Sequence, residues 1–409
     1  MTKYLQVALG ILAAIGGFVD IGDLVFNTQA GAVFGYQLIW AVIVGVIGIV
    51  TFSEMSGRVA TVTGRPVMDI VRQRLGFGIG LMTLIGSVLL TVLTLAAEIG
   101  GIGLVLELFF DAPYSTMVVL AVIGLIVAAW ALPFEWIEKI FGYLGLGLLV
   151  FVIGAVDLKP DWGAFGDGFV PHVATHDVAL YAYFAVGLVG AALMPYEVYF
   201  YSSGAIEERW KPSEDLGLNK LNSVLGFGLG GIMSIALMVV AAQVWHPLGV
   251  NPELIGTTAL GANVSLGEVG LVFALIGIFF AVGGAAIDTC FSAAYNISQF
   301  FGWEWGKYQT AARAPRFTLS WLLAFAVGYL VISTGVDPVQ LTEYAVVFSV
   351  VVLPFTYLPV LLVARDKTFM GEHVNGRLAT TLGWIYMVII MIVAVAAIPL
   401  LIITNAGGG

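Results

Sequence analysis

The sequence predicts an all-α polytopic membrane protein, and three observations predict it. Of 409 residues, 60% are hydrophobic and only 10% are charged, against about 25% charged in a soluble domain. Mean hydropathy is +1.01. The apolar residues also fall in long runs, and a spanning helix needs roughly 20 of them in a row. No soluble core can bury so much apolar surface, which excludes a cytosolic enzyme, a nucleic-acid binder and a secreted disulfide scaffold. The single cysteine, Cys290, excludes an internal disulfide and a CxxC metal site.

Eleven spans are expected, at about 5–34, 37–57, 76–110, 114–133, 135–156, 177–209, 219–245, 267–300, 314–335, 340–364 and 378–404. The first apolar run lacks an A-x-A cleavage context and is expected to remain as a membrane helix. With the N-terminus inside, 15 of the 16 basic residues fall in inside segments, from Lys3 through Arg58, Arg65, Arg72, Arg74, Lys139 and Arg209 to Arg377. Only Lys159 falls outside. That asymmetry predicts an N-terminus inside and a C-terminus outside. The outside segment 157–177 carries Asp157, Asp161, Asp167 and Asp177, as a solvated loop would. The loops hold no domain-sized insertion, so a single transmembrane domain occupies 1–409.

Two spans are interrupted. The first carries Gly16-Gly17 and then Asp20-Ile21-Gly22-Asp23; the sixth carries Met194-Pro195. Gly costs about 1 kcal/mol and Asp about 0.5–0.7 kcal/mol in a helix relative to Ala, and Pro removes a donor and disfavours helix at the preceding residue. Unwound carbonyls beside carboxylates make hard oxygen ligands. One of the aspartates could instead cap a half-helix starting near Leu24. Met194 would bring a thioether into the gap, which favours softer transition metals.

A charge at mid-membrane costs about 2.5–3.5 kcal/mol on insertion scales, so such residues are functional candidates. They are Asp20, Asp23, Glu98, Glu197 and Asp288, all acidic. Carboxylates without an internal Lys or Arg need a cation or protons to balance them, which argues for a cation pathway. Glu98 and Asp288 are candidates for a proton or water-lined path, and Glu197 sits in the first turn after Pro195. Gly226–Gly231 looks nucleotide-like, but it opens a membrane span and is read as packing. His172 and His176 lie in the outside loop; no histidine stands at the membrane centre.

In these features the chain resembles the Nramp divalent-metal transporters over nearly its whole length. Where that family has Asp-Pro-Gly-Asn, this sequence has Asp20-Ile21-Gly22-Asp23, followed by Gln29-Ala30-Gly31 and Phe34-Gly35-Tyr36. Val62-Thr63-Gly64-Arg65, Ala97-Glu98-Ile99, Glu138-Lys139, Leu353-Pro354-Phe355 and Met370-Gly371 also match. Met-Pro-His followed by Tyr, His and Ser becomes Met194-Pro195-Tyr196 with Tyr199, Tyr201 and Ser202. The resemblance implies a LeuT-like fold of 11 transmembrane helices, with helices 1 and 6 broken. Its inverted repeats would cover about 5–156 and 177–364, with helix 11 at 378–404. It implies a metal site of Asp20, Asp23, the Ala191 carbonyl and the Met194 sulfur; Glu98, Tyr196, Glu197, Tyr201 and Asp288 are candidates for a proton or ion pathway. The departures fall on the family's proton route. Both histidines of helix 6 are tyrosines, an acid of helix 3 is Leu95, and the basic residue near the end of helix 6 is Glu208 with Arg209 adjacent.

The expected function is secondary transport of a divalent cation, Mn²⁺ or a related transition metal, by alternating access with weak or absent proton coupling. Alternatives are a Mg²⁺ transporter, an organic-cation or amino-acid transporter, and a non-transporting metal sensor or scaffold. No enzyme activity and no cofactor are expected. The partners expected are the metal ion and the lipid bilayer, with no nucleic acid and no obligatory protein partner. The expected location is a prokaryotic cytoplasmic membrane.

Overall fold

The structure, a computed structural model, describes residues 19–173, 177–252 and 255–407. Segment 5–18 of the expected first span, with Gly16-Gly17, lies outside the described residues, as do Lys3 and His176. The principal helices are α1 (Ile21–Phe34), α2 (Ile39–Thr63), α3 (Val67–Phe110), α4 (Tyr114–Ala131) and α5 (Phe134–Asp157, tightened at Leu146–Leu148). Then follow α6a (Val178–Ala192), α6b (Pro195–Glu207), α7 (Pro212–Val244), α8 (Ile255–Phe301), α9 (Pro315–Ile332), α10 (Pro338–Ala364) and α11 (Arg377–Ile403). Among the described residues no strand occurs, and ten stretches, with α6a and α6b taken together, are long and apolar enough to cross a membrane.

Several boundaries differ from expectation, each for a local reason. α3 and α8 run back beyond the expected starts at 76 and 267. Those two positions are glycines at φ 81° and 66°, where the helix axis breaks; only glycine adopts that backbone readily. α7 begins at Pro212, seven residues earlier than expected, because Pro at N1 and the first-turn acids Glu214 and Asp215 favour a polar helix start. Hydropathy does not register those turns. Gly226–Gly231 therefore lies inside α7 and does not open a span.

α8 packs along α3, and α10 lies against the same helix; α1 is held mainly by α7, and α6b by α2. Ser56 Oγ donates to the Val198 carbonyl at 2.6 Å, and the Val67 N–H to Ser202 Oγ at 2.8 Å, joining α6b to α2 and α3. Pro359 within α10 cannot donate to the Phe355 carbonyl; Thr83 Oγ1 of α3 does so instead, at 3.2 Å. The outward faces are apolar: Leu120, Ile123 and Val127 on α4 and Val388, Ile392 and Val395 on α11 are exposed. In water such a surface would aggregate; in lipid it matches its solvent.

The loops at the basic end are tied by side chains. Arg58 bonds Glu54, the His373 carbonyl and Asn375 Oδ1, and Arg74 meets Asp366 at 2.7 Å. The Asp366 carboxyl is held below its ordinary pKa, first by the Thr368 N–H and also by Arg74. At the opposite end two of the four acids of segment 157–177 cap helices: Asp161 accepts from the Gly163 and Ala164 N–H groups, Asp177 from that of Leu180.

Candidate metal site and acidic cavity

α1 starts earlier than the sequence suggests. Asp20 is the N-cap of α1, in extended backbone at φ −88° and ψ −172°, and its Oδ1 accepts the Asp23 N–H at 3.1 Å. The helix starts at Ile21, three residues before Leu24, so Asp23 is helical and its side chain is not needed as a cap. Asp23 Oδ1 instead accepts Asn27 Nδ2 at 2.9 Å and Ser234 Oγ of α7 at 3.0 Å. Its Oδ2 is buried and, among the described residues, has no hydrogen-bond partner. Both carboxylates are fully enclosed.

A break in the sixth span faces the start of α1. α6a ends at Ala192 and α6b starts at Pro195, with Met194 as its N-cap at φ −63° and ψ 123°. In a continuous helix the carbonyl of residue 191 would accept from the N–H of residue 195. Proline has none, so Ala191 loses its helical donor. A methyl group built on Gly22 would lie 3.0 Å from Asp20 Oδ1, 3.1 Å from Val346 Cγ2 and 3.3 Å from Met194 Cε. The start of α1 and the break in the sixth span therefore converge, with the thioether and the Asp20 carboxylate around one glycine. Among the described residues no group of three or more His, Cys, Asp or Glu side chains is placed to hold a metal. Any ion held here would need ligands other than these side chains, and the Ala191 carbonyl and the Met194 sulfur lie at the break in the sixth span.

The pathway candidates separate. Tyr196 donates its hydroxyl to Asp20 Oδ2 at 3.2 Å, so a phenol stands directly on the carboxylate. Glu98 is fully buried on α3, accepts from Thr289 Oγ1 at 3.3 Å, and does not line the cavity described next. Leu95 packs against α9, where a methyl built on Gly328 would come within 3.2 Å of its Cγ. Tyr201 bonds the Asn219 carbonyl and Ser223, away from Asp20. A cavity of about 70 Å³ runs between α5, α6b, α7 and α8; Tyr196, Glu197, Tyr201 and Asp288 line it, together with Glu138 and Glu208. Arg209 does not take the place of the absent basic residue. It ends α6b in a left-handed conformation, φ 58°, and faces a different recess with Asp69 and Glu207.

Sequence reasoning missed several of these residues. Asn27 follows Asp23 by one turn and could have been found by that spacing. Ser234 sits among the small residues of α7 and carries no signal of its own. Gln29 and Glu343, whose side chains meet at 3.0 Å between α1 and α10, are far apart in sequence.

The fold is shared with solved structures. A single-site mutant of the Eremococcus coleocola manganese transporter superposes with a TM-score of 0.73 at 19% identity, covering 95% of this chain and 85% of that one. MhsT in complex with L-phenylalanine superposes with a TM-score of 0.63 at 14% identity, covering 96% and 97%. The helix order and the break in the sixth span define a polytopic membrane protein of LeuT-like fold. The family model for natural resistance-associated macrophage protein-like chains matches residues 10–399, and this chain belongs to the Nramp family. Among its curated relatives is a divalent metal cation transporter MntH of Deinococcus radiodurans, 26% identical over 93% of this chain and 86% of the relative. Another is the MntH of Ralstonia nicotianae, 25% identical over 94% and 88%. These relatives are transporters and not enzymes.

Proposed function

We propose that this chain moves a divalent transition-metal ion, Mn²⁺ or a close relative, across the membrane by alternating access. The ligands are Asp20, Asp23, the Ala191 carbonyl and the Met194 sulfur. The observation that supports this reading is the approach of the start of α1 to the break in the sixth span, with the enclosed Asp20 carboxylate and the Met194 thioether on either side of Gly22 and the enclosed Asp23 in the first turn of α1. The relatives' names, divalent metal cation transporter and manganese transporter, agree with it. Two carboxylates neutralise a divalent ion, and a sulfur ligand favours softer ions over Mg²⁺ or Ca²⁺. The test is uptake into proteoliposomes with Mn²⁺, Mg²⁺, Ca²⁺ and Cd²⁺ in competition. Strong competition by Mg²⁺ and none by Cd²⁺ would transfer the reading to magnesium.

Met194→Ala is expected to leave transport in place and to change its selectivity. Mn²⁺ and Cd²⁺ should weaken relative to Mg²⁺, because only the softer ions gain from sulfur. An unchanged competition profile would make Met194 a packing residue.

The orientation follows from charge: the basic loops face the cytoplasm of a prokaryotic cell. Cys290 is buried, so added cysteines report without background. Lys159→Cys should label from outside in intact cells, and Lys367→Cys only after permeabilisation. The reverse pattern would invert the topology.

A further inference from the structure

The acidic cavity beside the proposed metal site is not accounted for by the ligand set. Its carboxylates form a graded series. Glu197 is 5% exposed, Asp288 and Glu138 are half-buried, and Glu208, just past the end of α6b, is exposed. Both oxygens of Glu197 are buried and, among the described residues, neither has a hydrogen-bond partner. Asn222 Oδ1, from the α7 wall, is likewise buried without a donor. No Lys, Arg or His is among the described residues that line the space. An ionised buried carboxylate needs a counter-charge or donors, and nothing in the described wall supplies either to Glu197.

The cavity also has room. A water needs about 10–15 Å³ of such volume, so about 70 Å³ holds several waters. Since no three of the carboxylates are placed to grip a bare ion together, the space suits an ion that keeps part of its water shell, as small hard divalent ions do. Tyr196 connects this space to the inner site: it lines the cavity and donates to Asp20.

We propose that this cavity is a second, oxygen-only cation station. There a partly hydrated divalent ion is held by Glu197, Asp288 and Glu138 through its waters, between the Asp20 site and the Glu208 rim. It rests on the metal-transport reading only for the identity of the ion. The station holds its ion loosely, in keeping with outer-shell contacts, and lets it pass without full dehydration at the mouth.

The test is equilibrium binding of MnCl₂ to the purified full-length protein in lipid nanodiscs, with bound Mn²⁺ counted by electron paramagnetic resonance. The wild type should show two classes of site, the weaker on the order of millimolar in Kd and weakened by high NaCl. Glu197→Gln and Asp288→Asn should each weaken that class about fivefold, as expected for one water-screened charge of ~1 kcal/mol at contact distance. The pair together should remove it and leave the tighter class. Asp20→Asn should remove the tighter class and leave the weaker. Glu208→Gln, at the exposed rim, serves as a further variant that does not disturb buried packing and should also weaken it. If only the tighter class is missing from the wild type, the transport site fails and the station stands. A single class in the wild type that Glu197→Gln/Asp288→Asn leaves unchanged overturns the station.

Discussion

Asp20→Ala abolishes metal uptake: counter-transported Mn²⁺ in proteoliposomes should fall to the level of empty vesicles, at least about 100-fold, since losing even an outer-shell partner of a metal ligand weakens affinity about 10- to 100-fold. Alanine removes three things together. It takes away a charged ligand, the cap on the Asp23 N–H, and the acceptor for the Tyr196 hydroxyl. The cap accounts for about 0.5–2 kcal/mol and the hydroxyl bond for about 0.5–1.5 kcal/mol, so some thermal stability should go with the activity. Asp20→Asn separates the effects. Its carbonyl oxygen can still accept the Asp23 N–H, so the fold should melt near the wild-type temperature, while the loss of charge should still eliminate uptake. Uptake above half of wild type in Asp20→Asn would show that the carboxylate is a cap and not a ligand.

The contrast between Asp20 and Asp23 shows what the sequence could convey and what it could not. Apolar run length gave the helical membrane architecture, because the bilayer imposes a length on every span. The break in the sixth span was legible because Pro195 acts on the backbone of its own neighbourhood. The division of labour between two aspartates three residues apart was not, since it depends on Asn27, Tyr196 and Ser234, the last contributed by a helix more than 200 residues away. The polar start of α7 was invisible to hydropathy for a different reason: Glu214 and Asp215 stabilise a helix N-terminus while lowering the apolar average. The cavity was only half legible. Glu197 and Asp288 stood out as acids within spans, but Glu138 entered only as part of a family match and Glu208 only as a departure from one, until the ends of α5 and α6b were brought against α7 and α8.

The second large effect is on coupling. During Mn²⁺ uptake at clamped membrane potential, the internal pH of the liposomes should stay flat, far below one proton per metal ion. A relay needs groups that exchange protons near working pH, and histidine, with an unperturbed pKa of about 6.5, suits that role. Tyr196 stands on Asp20 as a phenol, whose unperturbed pKa is about 10; it donates a hydrogen bond and keeps its proton. Tyr201 is bonded to Asn219 and Ser223 away from the site, so it cannot hand a proton on to Asp20. Leu95 contributes only apolar contact to α9, and Glu98, bonded to Thr289, does not reach the cavity. The chain of carriers is interrupted at each of these places. Asp23 works in the same direction, because with both aspartates ionised the divalent ion is neutralised without a proton moving elsewhere. One route to coupling remains: two close carboxylates can hold one proton between them, and Asp23 Oδ2, which has no described donor, is where that proton would sit. Metal entry would then expel it at the site itself. Acidification that tracks metal entry would overturn the uncoupled reading. Asp23→Asn would then decide its source, abolishing the acidification if the aspartate pair carries the proton and leaving it intact if Glu98 or the cavity acids do.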